Sequence, residues 1–183
     1  MSSRERATTS STVNYAPVRR ARATLGQVDS QALTAAKRAT DPQTLARLAR
    51  SAEPDVVEAV AANGCCPAGL LARLSRSATP MVRRAVALNP ATGPGVVVGL
   101  AGDSDWRVRS AAVASGRLDN RTLAGLAADP EPAVRRRVAQ DRLTPPETLT
   151  VLAADADDQT REQATSNPSI PAAGKAAAGL LAD

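Results

Sequence analysis

The sequence contains no histidine and no phenylalanine, and it has only one tryptophan, one tyrosine and two cysteines. Without histidine the chain lacks the commonest general base and the commonest metal ligand, so Ser-His and Cys-His catalytic arrangements are excluded. Carboxylates, arginine and water remain as reactive groups, so the composition disfavours an enzyme without excluding one. We expect no catalytic residue, no bound metal and no cofactor.

The two cysteines are adjacent, at Cys65 and Cys66. This spacing fits neither a zinc site nor an iron–sulfur site. A vicinal disulfide is one interpretation, and a pair of inert small residues in a turn is the favoured one. Neither cysteine implies an oxidising compartment.

Long hydrophobic runs are also missing. No apolar stretch approaches the roughly 18 residues that cross a bilayer. The N-terminal segment MSSRERATTSSTVNYAPVRRARATL has charges but no hydrophobic core, so it does not read as a secretory signal. We therefore expect a cytoplasmic protein without a membrane partner.

What the sequence does have is a repeat of 26 residues that runs from residue 41 to about residue 170 without insertion or deletion. Four apolar columns recur at this interval: Leu45, Leu71, Val97, Leu123, Leu149; Leu48, Leu74, Leu100, Leu126, Leu152; Val56, Val82, Val108, Val134, Thr160; and Val60, Val86, Ala112, Val138, Ala164. A period of this length indicates an array in which each unit packs on the next. We call 41–66, 67–92, 93–118, 119–144 and 145–170 units 1 to 5.

Each unit is predicted to form two short helices. The first carries leucine at i and i+3, as in Leu45 and Leu48, and the second carries valine at i and i+4, as in Val56 and Val60. A column of cap formers precedes the second helix: Glu53, Thr79, Asp105, Glu131 and Asp157, followed three times by proline. A second column ends that helix: Asn63, Asn89, Ser115, Asp141 and Asn167. Helices this short are unstable alone, so they must pack on neighbouring copies.

Segments such as SATPMVRRAVALNPATGPGVVVGLAGDSDWRVRSAAVASG and LAADPEPAVRRRVAQDRLTPPETLTVLAADADDQ resemble units of the leucine-rich repeat variant family. The resemblance covers residues 41–170. It implies an all-α, right-handed solenoid of about five two-helix repeats, related in form to HEAT and armadillo arrays. The founding type of the family carries an N-terminal cysteine cluster that binds iron–sulfur, but this chain has no cysteine before Cys65, so no cluster is carried over.

The flanking segments are predicted from composition. Residues 1–28 read as a disordered basic arm, 29–40 as an N-terminal capping helix and 171–183 as a C-terminal cap around the five units at 41–170. Residues 1–40 hold seven basic and two acidic residues, whereas residues 41–183 hold sixteen of each. The excess positive charge therefore belongs to the N-terminal segment, and the array is balanced.

The charge within the array is uneven. Unit 2 has four arginines and no acid, whereas unit 5 has one arginine and five acids. One arginine column, at positions 83, 109, 135 and 161, reads as structural. Three of its members follow a carboxylate by four residues, which is the favourable order for an ion pair along one helix (Asp105, Glu131 and Asp157 as the predicted partners).

A second group of arginines is a candidate binding patch. Arg47 and Arg50 in unit 1 are predicted to stack beside Arg73 and Arg76 in unit 2, with no acid nearby on the same helix. The same positions in units 3 to 5 hold glycine, alanine or valine, so the fold does not require these charges. A solvated face and an anion-binding patch both remain open. Arg84 and Trp106 complete the candidate set, Trp106 being either a lid over a helix start or a partner anchor.

Three functions are compatible with these features. The leading hypothesis is a non-enzymatic scaffold that presents a curved surface to a protein partner. The alternative is a nucleic-acid-binding protein, in which the patch and the arm residues Arg4, Arg6, Arg19, Arg20 and Arg22 neutralise phosphates. The balanced charge of the array argues against that alternative. An enzyme like the HEAT-like DNA glycosylases is disfavoured, because no convergent polar constellation is visible, and no small-molecule substrate is evident.

Overall fold

A computed structural model of the chain describes residues 30–179. This part is helical throughout, with turns between twelve helices. The first, α1, spans 30–38. The others are α2 (Pro42–Leu48), α3 (Pro54–Ala62), α4 (Ala68–Leu74), α5 (Pro80–Leu88), α6 (Pro94–Ala101), α7 (Trp106–Ala114), α8 (Asn120–Leu126), α9 (Pro132–Gln140), α10 (Pro146–Leu152), α11 (Asp158–Ser166) and α12 (Ala172–Gly179).

The helices form repeating pairs, one pair for each 26-residue unit. The second helices of the units, α3, α5, α7, α9 and α11, pack directly against one another along the array, whereas the first helices contact each other far less. The predicted all-α solenoid of repeated helix pairs is therefore confirmed. The arm predicted for 1–28 lies outside the described residues, together with all five of its candidate arginines.

The four apolar columns form the core of the array. Leu45 and Leu71 are fully buried, and the same holds for Val60 and Val86 in the second helices. The remaining members of all four columns are also buried, including Thr160, which replaces valine in unit 5. The predicted register is thus confirmed. The core is a thin apolar layer that continues from unit to unit, which explains how the chain manages with so few aromatic side chains.

The second helices begin and end where the sequence predicts. The cap column supplies the N-cap residue in every unit, although only Asp105 and Asp157 accept a hydrogen bond from the backbone through their side chains. In the other three units proline occupies the first helical position and removes one unsatisfied N–H. After α7 the chain turns through Gly116, whose φ of 65° lies in the left-handed region that glycine tolerates.

The asparagine column also joins neighbouring units. The side-chain amide of Asn89 donates to the carbonyl oxygens of Ala61 and Asn63 in the preceding unit, at 2.7 and 2.9 Å. Asn167 bridges units 5 and 4 in the same way, and Asn63 ties unit 1 to the carbonyl oxygens of α1 and the turn after it. Because these carbonyls lie at helix ends without an intrahelical partner, each amide satisfies two of them.

Two units depart from this pattern, and one of them compensates. Unit 3 has Ser115 instead of asparagine, and there Arg117 donates to the carbonyl oxygens of Ala87 and Asn89 at 2.9 and 3.0 Å. These are the two carbonyls that an asparagine at position 115 would bind. Unit 4 has Asp141, whose carboxylate accepts from the Leu143 amide but has no proton to donate back to unit 3.

No helix in residues 30–179 combines the length and the apolar character that a membrane crossing requires.

Candidate binding surfaces

The arginine column at position 83 and its repeats is structural, but the predicted partners are wrong. Arg83, which has no carboxylate on its own helix, pairs with Asp103 of the next unit, twenty residues later. Arg109 and Asp129 form the same pair, and so do Arg135 and Asp155. We call these three pairs the Arg–Asp ladder. The last arginine of the column, Arg161, donates instead to Asp158 on its own helix.

The geometry explains why the cross-unit partner is preferred. In each ladder pair the guanidinium contacts both carboxylate oxygens, as in Arg109, where Nε and Nη2 lie 2.6 and 2.7 Å from Asp129. Its third nitrogen, Nη1, donates to the carbonyl oxygens of Asp103 and Ser104 in the turn before its own helix. A two-point contact in a mostly buried site is stronger than an exposed pair along a helix.

The aspartates of the ladder are held in their charged form. The hydrogen bond from Arg83 lowers the pKa of Asp103, and that from Arg135 lowers the pKa of Asp155, in both cases against the opposing effect of burial. Burial is the largest influence on Asp129, but the hydrogen bonds from Arg109 and the Glu131 amide outweigh it, so its pKa is also lowered. The ladder therefore consists of ion pairs at neutral pH.

The contact between units 1 and 2, which we call the first junction, has no ladder pair. Val57 occupies the arginine position and Ser77 the aspartate position. Ser77 still accepts a hydrogen bond from the backbone N–H two residues later, as the ladder aspartates do. A cavity of about 340 Å³, lined by Val57 and Ser77 among others, lies at this junction, and we call it the first-junction pocket.

The four-arginine patch is divided by this pocket. Arg73 and Arg76 line it, whereas Arg47 and Arg50 do not. All four side chains are exposed, and none forms an ion pair with another of the described residues. The patch as a functional unit remains a prediction, but its two halves have different surroundings.

A larger groove of about 630 Å³ runs along the second helices of units 2 to 4, and we call it the second-helix groove. Its apolar part consists of Met81 and Leu88 on α5 and Trp106 at the start of α7. Met81 and Leu88 are 45% and 44% exposed, whereas the apolar columns of the array are buried. The groove is therefore an apolar surface that no described residue covers.

Trp106 contacts both the core and the groove. Its ring packs against the core and is half buried, and one part of it lines the groove. The guanidinium of Arg107 lies 4.7 Å from the ring centroid, within range of a cation–π contact. The ring is thus held in place by the core on one side and by a cation on the other.

Arginines surround the apolar part of the groove. Arg84, Arg107 and Arg137 line it, and none of the described residues that line it is acidic. Asp105 lies 3.7 Å from Arg107, but Arg84 and Arg137 form no ion pair within the described part of the chain. The groove therefore combines an exposed apolar surface with uncompensated positive charge.

The structure brings Arg84 and Trp106 of the predicted set together and places them apart from the four-arginine patch. Sequence reasoning missed Met81, Leu88, Arg107 and Arg137. Arg137 departs from its column, which holds alanine at 59, 85 and 111, and this departure was a signal that could have identified it.

Metal and thiol chemistry find little support in residues 30–179. No group of three potential ligands drawn from His, Cys, Asp and Glu is close enough there to hold a metal ion. Both cysteines are free thiols, Cys65 exposed and Cys66 buried. Burial raises the pKa of Cys66 to about 11, so its reactive thiolate is scarce at neutral pH.

Comparison with known proteins agrees with this architecture. Residues 29–90 match the family model of the Leucine Rich Repeat Variant domain. A solved structure described as a leucine-rich repeat variant with a novel repetitive protein structural motif superposes with a TM-score of 0.62 at 24% identity. The match covers 81% of this chain and 64% of the other. None of the curated proteins compared with the chain matches it. Residues 29–90 therefore match a Leucine Rich Repeat Variant domain, and the chain shares the helical-repeat fold of that solved structure.

Proposed function

We propose that the protein is a non-enzymatic binding scaffold whose second-helix groove holds an acidic segment of a protein partner. The observation that carries this proposal is the combination of an exposed apolar surface with three arginines and no lining carboxylate. An exposed apolar patch on a folded domain commonly marks a binding surface. Aromatic and arginine side chains are the residue types that contribute most at such surfaces.

The chemistry of the groove defines what its partner must carry. An apolar side chain that covers Met81 and Leu88 would remove exposed hydrophobic area from water. This burial favours binding by about 25 cal/mol for each Å² of apolar surface. Carboxylates beside that side chain would pair with Arg84 and Arg137, which have no acidic partner in the described residues. A segment with one large apolar residue flanked by Asp or Glu satisfies both requirements.

The groove also supports a protein partner over nucleic acid. Phosphate-backbone binding requires positive charge spread along the surface, whereas the array as a whole carries as many acidic as basic residues. Three arginines around an apolar floor form a local, shaped site. The experiment must therefore distinguish binding of an acidic protein segment from binding of nucleic acid.

Trp106 provides a direct readout because it is the single tryptophan of the chain and lies in the groove. The probe is a short synthetic peptide with a central leucine flanked by glutamates, titrated while the tryptophan emission is recorded. We expect a saturable change in emission, and a matched peptide with lysine for glutamate should give none. A single-stranded oligonucleotide, titrated in the same way, tests the nucleic-acid alternative.

The variant R84A/R137A should bind the acidic peptide about tenfold more weakly, equivalent to about 1.4 kcal/mol of binding free energy. R47A/R50A removes the same charge away from the groove and should leave the affinity within about twofold. Replacing the exposed Leu88 with Asp should also weaken binding, without loss of the folded state. Equal weakening by both arginine pairs, or an emission change with the oligonucleotide alone, would contradict the proposal.

A further inference from the structure

The first-junction pocket lies where later units carry the Arg–Asp ladder, and its own charges are different. The described residues that line it include Arg73 and Arg76 and no carboxylate. In the later junctions the corresponding turns carry Asp103, Asp129 and Asp155. The pocket therefore has positive charge without the built-in anion that its counterparts possess.

Uncharged hydrogen-bond donors face the same space. Ser51 and Ser77 line the pocket, and the Oγ atom of each accepts a backbone N–H, from Glu53 at 3.1 Å and from Thr79 at 3.2 Å. Because a hydroxyl that accepts a hydrogen bond keeps its own proton, both can still donate. The two guanidinium groups add charged donors of the kind that bind oxyanions in pairs.

The cations of this pocket are not a requirement of the repeat. Later units have small or apolar residues at the two arginine positions: Gly99, Gly102, Gly125, Ala128, Val151 and Ala154. The single junction without a ladder pair thus has two arginines that those later units do not have.

We propose that the first-junction pocket binds a phosphate group, either as free phosphate or as a phosphorylated side chain. A phosphate group has the size, the negative charge and the several acceptor oxygens that two guanidiniums and two hydroxyls can satisfy together. The site is separate from the second-helix groove and does not depend on its function, so either proposal can fail without the other.

Inorganic phosphate is the first probe, added against chloride at constant ionic strength so that general screening is matched. Amide signals of Ser51, Ser77 and Thr79 in a two-dimensional NMR spectrum should shift in a saturable way, and the thermal midpoint should rise as bound phosphate stabilises the folded state. R73A/R76A should weaken this binding at least tenfold. R47A/R50A, which removes the same charge from the equivalent positions of unit 1, should change it less than twofold.

A second variant fills the pocket without removing either arginine. V57R/S77D installs the ladder pair of the later junctions, so the protein should stay folded while the phosphate-induced shifts disappear. A phosphoserine peptide, compared with free phosphate, identifies the source of the group, and tighter binding of either one supports the site. The proposal is overturned if phosphate causes no saturable shifts, if V57R/S77D binds phosphate like the wild type, or if R47A/R50A weakens binding as much as R73A/R76A.

Discussion

At the contact between units 1 and 2, Val57 and Ser77 occupy the two ladder positions, so no ion pair forms there. Each later pair of units has a two-point arginine–aspartate bridge at the same positions. The apolar columns are buried at both kinds of junction. The repeat geometry therefore does not require the ladder, and we expect the ladder to strengthen the junctions that carry it. Where it is missing, the junction has a pocket that Arg73 and Arg76 line.

The largest expected difference between the two kinds of junction is in stability. Arg109→Ala should lower the free energy of unfolding by about 3 kcal/mol, because it leaves the buried Asp129 carboxylate without its guanidinium. Ser77→Ala, at the aspartate position of the first junction, should lower it by less than about 1 kcal/mol, since only a neutral hydrogen bond is lost. Chemical denaturation of both variants measures the difference. Equal effects would show that the ladder is energetically unimportant.

The ladder should also make stability depend on pH. The pKa of Asp129 is lower in the folded state than in the unfolded chain, so its ion pair stabilises the fold fully above about pH 4 and loses that contribution as pH falls through the folded pKa. Asp129→Asn removes the titrating group. The stability advantage of wild type over this variant should be constant near neutral pH and shrink in acid. A stability advantage that grows on acidification would contradict a lowered pKa of Asp129 in the folded state.

A smaller gain is expected at the junction between units 3 and 4, which lacks the asparagine bridge. Asp141→Asn should supply an amide that donates to the carbonyl oxygens of Val113 and Ser115, by analogy with Asn89 and Asn167. Two such bonds should raise the free energy of unfolding by about 1 kcal/mol. Asn89→Ala removes the equivalent bridge between units 1 and 2 and should lower the free energy of unfolding by a similar amount. A thermal midpoint for Asp141→Asn at or below wild type would show that this junction has no room for the bridge.

Most of the fold could be predicted from the sequence, because the signals are local and repeated. Leucine at i and i+3, a cap former before proline, and asparagine after the helix each specify a local feature, and five copies fix the register. The burial of Leu45, Val60 and their repeats follows from that register. Local spacing within one unit therefore sufficed for the helices and the core.

The contacts between units could not be derived in the same way. Arg109 has one acid four residues earlier, Asp105, and another twenty residues later, Asp129, and only the three-dimensional stacking shows that the second is the partner. The sequence does contain a signal for it: arginine at one position and aspartate twenty residues on occur together in three junctions, and both are absent from the first. The second-helix groove was harder to foresee, because its residues come from three units and from different columns.

The central claim is that the first junction is the weak one and that the ladder strengthens the rest. Native-state hydrogen exchange tests it most directly, because it reports the opening free energy of each helix separately. The amides of α3 in unit 1 should exchange at a lower free energy than those of α7 and α9, and V57R/S77D should raise the protection of α3 specifically. Equal protection of α3, α7 and α9 in the wild type, or no gain for α3 in V57R/S77D, would contradict the account.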